Sequence, residues 1–198
     1  MESHIVINSR IYEKYKEDIL PLSARLFCDD YFYNLSSYEV PLDLKGIATY
    51  LPYIKKITLY TTATFIDFVN VLLVLSFLND NNYQNEVQIN YYLLNGDSLN
   101  KALFVSSKLK HYEDAYVILD SINNNKKISS VNLKIPGFIN YVNFFNMFVD
   151  TEDFLIYFEE LIDECEEDNE KIAEYLADKY SNMGINKQYY LDYLNKIM

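Results

Sequence analysis

An α/β fold, with a sheet in the first half and helices in the second, is what this 198-residue sequence predicts. Three observations carry that expectation. From Phe65 to Leu78 the chain is apolar nearly all round, with Asp67 and Asn70 as polar breaks, a composition that a surface helix does not tolerate. The apolar core is about fourteen residues long, short of the roughly 20 that a bilayer needs, so a helix buried inside a protein is expected. On either side, Lys56-Ile57-Thr58-Leu59-Tyr60 and Glu86 to Leu94 read as strands. Strand, buried helix and strand make a βαβ unit, and with it a Rossmann-like sheet. Beyond residue 95 the pattern changes to helical stripes. The division expected is an α/β part over 1–95 and a mostly helical part over 96–198.

In chain order, His4-Ile5-Val6-Ile7 is the expected first strand, and Ser9 to Asp18 a short helix. Arg25-Leu26-Phe27-Cys28 suggests a second strand running into Asp29-Asp30. Pro41 opens a helix with Leu42, Leu44, Ile47, Leu51 and Ile54 at helical spacing. The βαβ unit follows. Asn95-Gly96-Asp97-Ser98 is a turn signal, and Asp97 or Ser98 is expected to cap a helix after it. Tyr112 to Ile122 is helical, Ser130 to Lys134 suggests a short strand, and Phe138 to Phe148 is a strongly apolar helix. Thr151 to Glu164 places Phe154, Phe158, Leu161, Ile162 and Cys165 on one face, with Glu159, Glu160, Asp163 and Glu167 opposite. Ile172, Leu176, Tyr180 and Met183 form another stripe, closed by Gly184. Asn186 begins the last helix.

Composition excludes several classes. Half the residues are hydrophobic, enough for a packed core. The 20 Tyr and 12 Phe, with no Trp, are expected as core filler with polar tips rather than as a binding surface. Cys28 and Cys165 lie far apart with no ligand-spaced partners, so no metal site is expected, and two ordinary thiols are the simpler account. No cofactor signature is present. The N-terminus has no basic region before its short apolar run, which makes the cytoplasm the expected location.

The net charge of −12 is local. Between Asp150 and Glu174 stand twelve acids and one base, Lys171, so eleven of the twelve net charges belong to that segment. The chain carries no basic patch of the kind that phosphate contacts require, so direct nucleic-acid binding is not expected.

Three pieces of the first half resemble a family of uncharacterised bacterial proteins, the domain-of-unknown-function family numbered 1835. His4-Ile5-Val6-Ile7-Asn8-Ser9 is similar to the family's opening strand, Asp29-Asp30 to its acidic loop, and Ile57 to Leu78 to its strand and apolar helix. Asn8 stands where the family has Gly-Asp, and the Gly-Pro of the loop is missing. The resemblance implies an α/β fold and no established activity.

Candidate chemistry is sparse. Ser9, after the first strand, is placed to expose a hydroxyl, with His4 or His111 as a base, but no Gly-x-Ser-x-Gly elbow surrounds it. Four glycines, Gly46, Gly96, Gly137 and Gly184, do not make a Walker loop or a dinucleotide fingerprint. Asp29 and Asp30 at a strand end could bind Mg²⁺ or act as acid and base. Adjacent residues of an extended segment point to opposite sides, however, so loop capping is the plainer role. The acidic run around Glu164 to Glu170 contains no glycine and is not an EF-hand loop.

Two functional expectations follow. The first is a non-enzymatic interaction module whose acidic helical face, with Glu159, Glu160, Asp163 and Glu167, engages a basic protein. The second is a small-molecule or nucleotide-binding α/β enzyme using a strand-end crevice near Ser9, Asp29, Asp30, Thr61 and Thr62.

Overall fold

The computed structural model describes residues 2–8, 11, 23–25, 42–95, 98–129 and 133–198. Glu2–Val6 (β1), Ser23–Arg25 (β2), Lys56–Thr62 (β3), Val87–Asn95 (β4) and Ser98–Leu109 (β5) form one mixed sheet in the order β2-β1-β3-β4-β5. β1 runs parallel to β2 and to β3, β3 parallel to β4, and β4 antiparallel to β5. Ile5 stands opposite Leu59, and Leu59 opposite Ile89, which lines up three buried aliphatic residues across the three central strands. Thr58, Thr61, Thr62 and Asn90 of these strands are buried as well, so both faces of the central sheet are covered.

Between β3 and β4 the chain forms the helix Phe65–Asp80 (α2), preceded by Leu42–Ala48 (α1) and a 3₁₀ turn at Leu51–Tyr53. Every residue of α2 from Asp67 to Leu78 is buried. The cause is packing against both the sheet and other helices. α2 touches both β3 of the sheet and Ala115–Asn123 (α3). At its start, Phe65 and Phe68 meet the aromatic rings of Phe138–Val149 (α4). Phe68 stacks on Tyr141 with centroids 4.6 Å apart, and Phe65 packs 5.3 Å from Phe144. A helix enclosed this way has no solvent face on which to place polar residues.

The second part continues as Thr151–Tyr157 (α5), Glu159–Glu164 (α6), Asn169–Lys179 (α7) and Lys187–Ile197 (α8). The fully buried Phe154 and Tyr190 and the nearly buried Phe148 form its aromatic core. Aromatic core filler is thus what many of the Phe and Tyr residues provide. Gly184 takes the left-handed conformation at φ +73° after the 3₁₀ turn Ser181–Met183, as its position predicts.

Three expectations are corrected. The segment after Ser98 is not a helix but the 12-residue strand β5. Asn95 pairs with Ser98 across two residues, the spacing of a β-hairpin, for which Gly-Asp is as good a signal as it is for a helix cap. The sheet therefore takes in residues 98–109, and no helix N-terminus follows β4. The helix expected through Ile54 ends at Ala48 and re-forms as a 3₁₀ turn. Pro52 lacks an amide, and its ring would clash with the carbonyl four residues back in a continuous α-helix. Thr151 to Glu164 is two helices, interrupted at Phe158. Of the expected strand over 130–134, Leu133 and Lys134 are outside any strand, and the rest lies outside the described residues. β2 is described at Ser23–Arg25, while Leu26 to Asp30 also lie outside them. The mixed α/β part followed by a mostly helical part stands as expected.

Candidate functional site

The strand order places a switch point between β1 and β3: the chain leaves β1 toward β2 on one side and returns to β3 on the other. In open α/β sheets ligands bind outside the carboxyl ends of the strands at such a point. Here a polar cluster occupies it. Thr64 is the N-cap of α2, its Oγ1 accepting from the Asp67 amide at 3.2 Å. One oxygen of Asp67, Oδ2, accepts from the Thr62 amide at 3.0 Å, from Asn8 Nδ2 at 3.1 Å and from the Thr62 hydroxyl. The carboxylate therefore ties the end of β1, the end of β3 and the first turn of α2 into one unit. The arrangement is a variant of the capping box, with Asp67 reaching back past the cap residue.

Burial decides what this cluster can do. Thr61 is fully buried, Thr62 is 1 % exposed and Asp67 3 % exposed. The Thr62 and Asp67 side chains bond each other, and the Thr61 hydroxyl donates to the Thr62 carbonyl at 3.3 Å. The helical part closes over the cluster: a Cβ on Gly184 would stand 2.9 Å from Thr64 Cβ. Burial, and after it the Asp67 charge, pushes the Tyr141 phenol up to about 12. One turn beyond Asp67, Asn70 is buried and its Oδ1 has no hydrogen-bond partner among the described residues. His4, earlier considered as a base, lies on β1 with Nδ1 3.0 Å from the Tyr60 hydroxyl. Desolvation is the largest cause holding its pKa below the ordinary value.

The second candidate is the acidic surface. Its carboxylates divide into two sets. Asp150 accepts from the Glu152 and Asp153 amides at the start of α5, and Asp168 accepts from the Glu170 and Lys171 amides at the start of α7. Lys127 pairs with Asp150 and Asp153, at 3.0 and 2.6 Å. Lys187 spans Glu170 and Glu174, at 2.8 and 3.8 Å. These acids are used within the fold. Glu152, Glu159, Glu160, Asp163, Glu164, Glu166 and Glu167 are exposed, and none of them makes an ion pair among the described residues.

The corner holding these acids is built by the backbone. The Glu166 amide donates to the Asp163 carbonyl and the Glu167 amide to that of Ile162, the two bonds of a Schellman ending. Glu166 and Glu167 both take positive φ, +54° and +58°, where glycine is the usual residue. In the preceding helix α5, Ile156 is 73 % and Tyr157 64 % exposed.

The structure places Thr61 and Thr62 at the switch point, and Glu159, Glu160, Asp163 and Glu167 are each exposed. Ser9, Asp29 and Asp30 lie outside the described residues. Cys165 is a free, half-buried thiol. Among the described residues no group of three or more His, Cys, Asp or Glu side chains is arranged to hold a metal ion, and no helix is long and apolar enough to cross a membrane. Sequence reading missed Asn8 and Thr64 as members of the cluster. The signal was Thr64-x-x-Asp67 directly before an apolar run, a cap spacing. No protein-family model, characterised protein or solved structure matches this chain.

Proposed function

We propose that this protein is a non-enzymatic interaction module whose exposed acidic helical face engages a basic protein partner. The observation that carries the reading is the division of the acids. Those at 150, 153, 168, 170 and 174 serve caps and ion pairs, whereas Glu159, Glu160, Asp163 and Glu167 are left exposed to solvent. Like charges held together repel one another, and a cationic partner relieves that repulsion while gaining a steered approach. Ile156 and Tyr157 supply apolar area that a purely solvated charged face has no need of. The test is binding of a lysine octapeptide to the purified chain at low salt and at roughly 0.5 M salt, where screening acts within a few ångströms. Binding that weakens with salt, and weakens again in the combined Glu159→Gln, Glu160→Gln, Asp163→Asn, Glu167→Gln variant, supports the reading. Binding insensitive to both salt and charge, or no binding, removes it.

A second reading is supported by the strand order and by the orphaned acceptor on Asn70 near the switch point. In it, the first part is a Rossmann-like small-molecule or nucleotide-binding domain, with Ser9, Asp29 and Asp30 at the mouth of the crevice. Thr61, Thr62 and Asp67 then form its buried floor and do not touch the ligand. The resemblance to family 1835 agrees with that frame and assigns no reaction. Thermal shifts with a panel of nucleotides and divalent ions test it, and silence across the panel counts against it.

A further inference from the structure

Beside the acidic face, the ammonium of Lys179 sits among four aromatic rings. Its Nζ lies 5.1 Å from the centroid of Phe158, 5.4 Å from Tyr175 and 5.7 Å from both Tyr157 and Tyr180. All four distances are within the range in which a ring face attracts a cation. Lys179 makes no ion pair among the described residues, although it is one of the few cations near a strongly acidic segment. The rings differ in how firmly they are held. Phe158 is buried, packed 4.8 Å from Phe154, and the Tyr180 ring packs against Phe144 at 5.4 Å. The Tyr180 hydroxyl donates to Met147 Sδ at 3.6 Å. Tyr157 and Tyr175 are exposed side walls. A fixed floor, two open walls and a cation between them make a cation-accepting cage whose resident comes from the protein itself.

The geometry points to this cage as the receptor for a lysine side chain of the basic partner, with Lys179 as a placeholder that leaves when the partner's lysine enters. The inference rests on the acidic-face reading and adds the anchor that reading lacks. Glu159 and Glu160 follow Phe158 directly in the chain, so a lysine-rich segment reaching the cage also meets uncommitted carboxylates. A lysine complements the ring faces and the surrounding charge and matches the ammonium already seated among the rings. Exchange of one ammonium for another also costs little, since Lys179 is exposed and its ammonium can move out into water as the partner's enters.

The experiment uses the full chain with a lysine octapeptide as probe, and follows the Cε–Hε signals of Lys179 by NMR. In the free protein, ring currents should hold these signals upfield of the other lysines. On saturation with the peptide they should move to ordinary values. Lys179→Ala should tighten peptide binding, and Tyr175→Leu or Tyr157→Leu, which keep apolar bulk and remove the ring, should weaken it. Each ring change is expected at roughly three- to tenfold in Kd, the range of a partly desolvated cation–π contact. If the octapeptide binds in a salt-dependent way while Lys179 stays upfield and the ring variants bind like wild type, the cage inference fails and the acidic-face reading stands. If nothing binds at low salt, both fall. Should one ring variant fail to fold, the other and the Lys179 signals still decide the matter.

Discussion

Replacing Asp67 by Ala tests whether the switch point is held together by one carboxylate oxygen. Three donors converge on Oδ2: the Thr62 amide at 3.0 Å, Asn8 Nδ2 at 3.1 Å and the Thr62 hydroxyl. Asn8 is half-buried and can turn to water, so its loss adds little. The Thr62 hydroxyl lies 3.3 Å from Thr64 Oγ1 and can bond there instead. The Thr62 amide has no comparable alternative, because Thr62 is 1 % exposed. A buried donor left without an acceptor costs about 1–3 kcal/mol, and the small cavity adds to it. The expected destabilisation is about 2–4 kcal/mol, a large part of the roughly 5–15 kcal/mol that holds a typical domain.

Asp67→Asn separates hydrogen bonding from bulk. Because all three donors use the same oxygen, an amide oxygen in that place keeps the bonds in weaker, uncharged form. The order of stability expected is wild type, then Asn, then Ala. Urea unfolding measures it, as a fall in midpoint at constant slope. The Asn variant should also bring the Tyr141 phenol down from about 12, since the Asp67 charge is one cause of its elevation; ultraviolet titration reads that change. An Ala variant within roughly 0.5 kcal/mol of wild type, the size of an ordinary surface substitution, would refute the reasoning. So would an Asn variant as unstable as Ala.

Further outcomes follow from individual positions. Gly184→Ala should lower stability by roughly 1–3 kcal/mol, because its φ is +73° and the new Cβ would stand 2.9 Å from Thr64 Cβ; thermal unfolding reads it. Glu166→Gly should raise stability by about 1 kcal/mol, or roughly 2–4 °C in Tm, since φ is +54° there and one of several neighbouring like charges is removed. A Glu166→Gly variant with a lower Tm would mean that the Schellman corner is not strained. His4 should titrate below 6.5 by NMR, because desolvation favours its neutral form in the folded state. With the folded pKa below the unfolded one, its contribution to stability is present above about pH 6.5 and is lost as pH falls through the folded value. His4→Gln should remove that part of the acid sensitivity, and an unchanged pH profile in the variant would contradict the assignment.

Local order alone determined a good deal of this protein. The all-round apolar character of Phe65–Leu78 revealed a buried helix, because the chain has no other way to hide such a surface. Asn186 and Gly184 marked helix boundaries through caps that depend on adjacent residues only. The concentration of charge over 150–174 was legible for the same reason.

Tertiary structure decided the rest. Residues 98–109 became a strand because β4 offered an unpaired edge, and pairing between segments is not written in the periodicity of either one. The acids of one run look alike in sequence. The caps at Asp150 and Asp168 are local, but the ion-paired acids separated from the exposed ones only when Lys127 and Lys187 were brought to them from other parts of the chain. Asn8 and Asp67, 59 residues apart, met because β1 and β3 lie side by side. The four rings around Lys179 come from two separate helical segments in the same way. Cap and periodicity signals act over a few residues, whereas these sites exist only where distant segments touch.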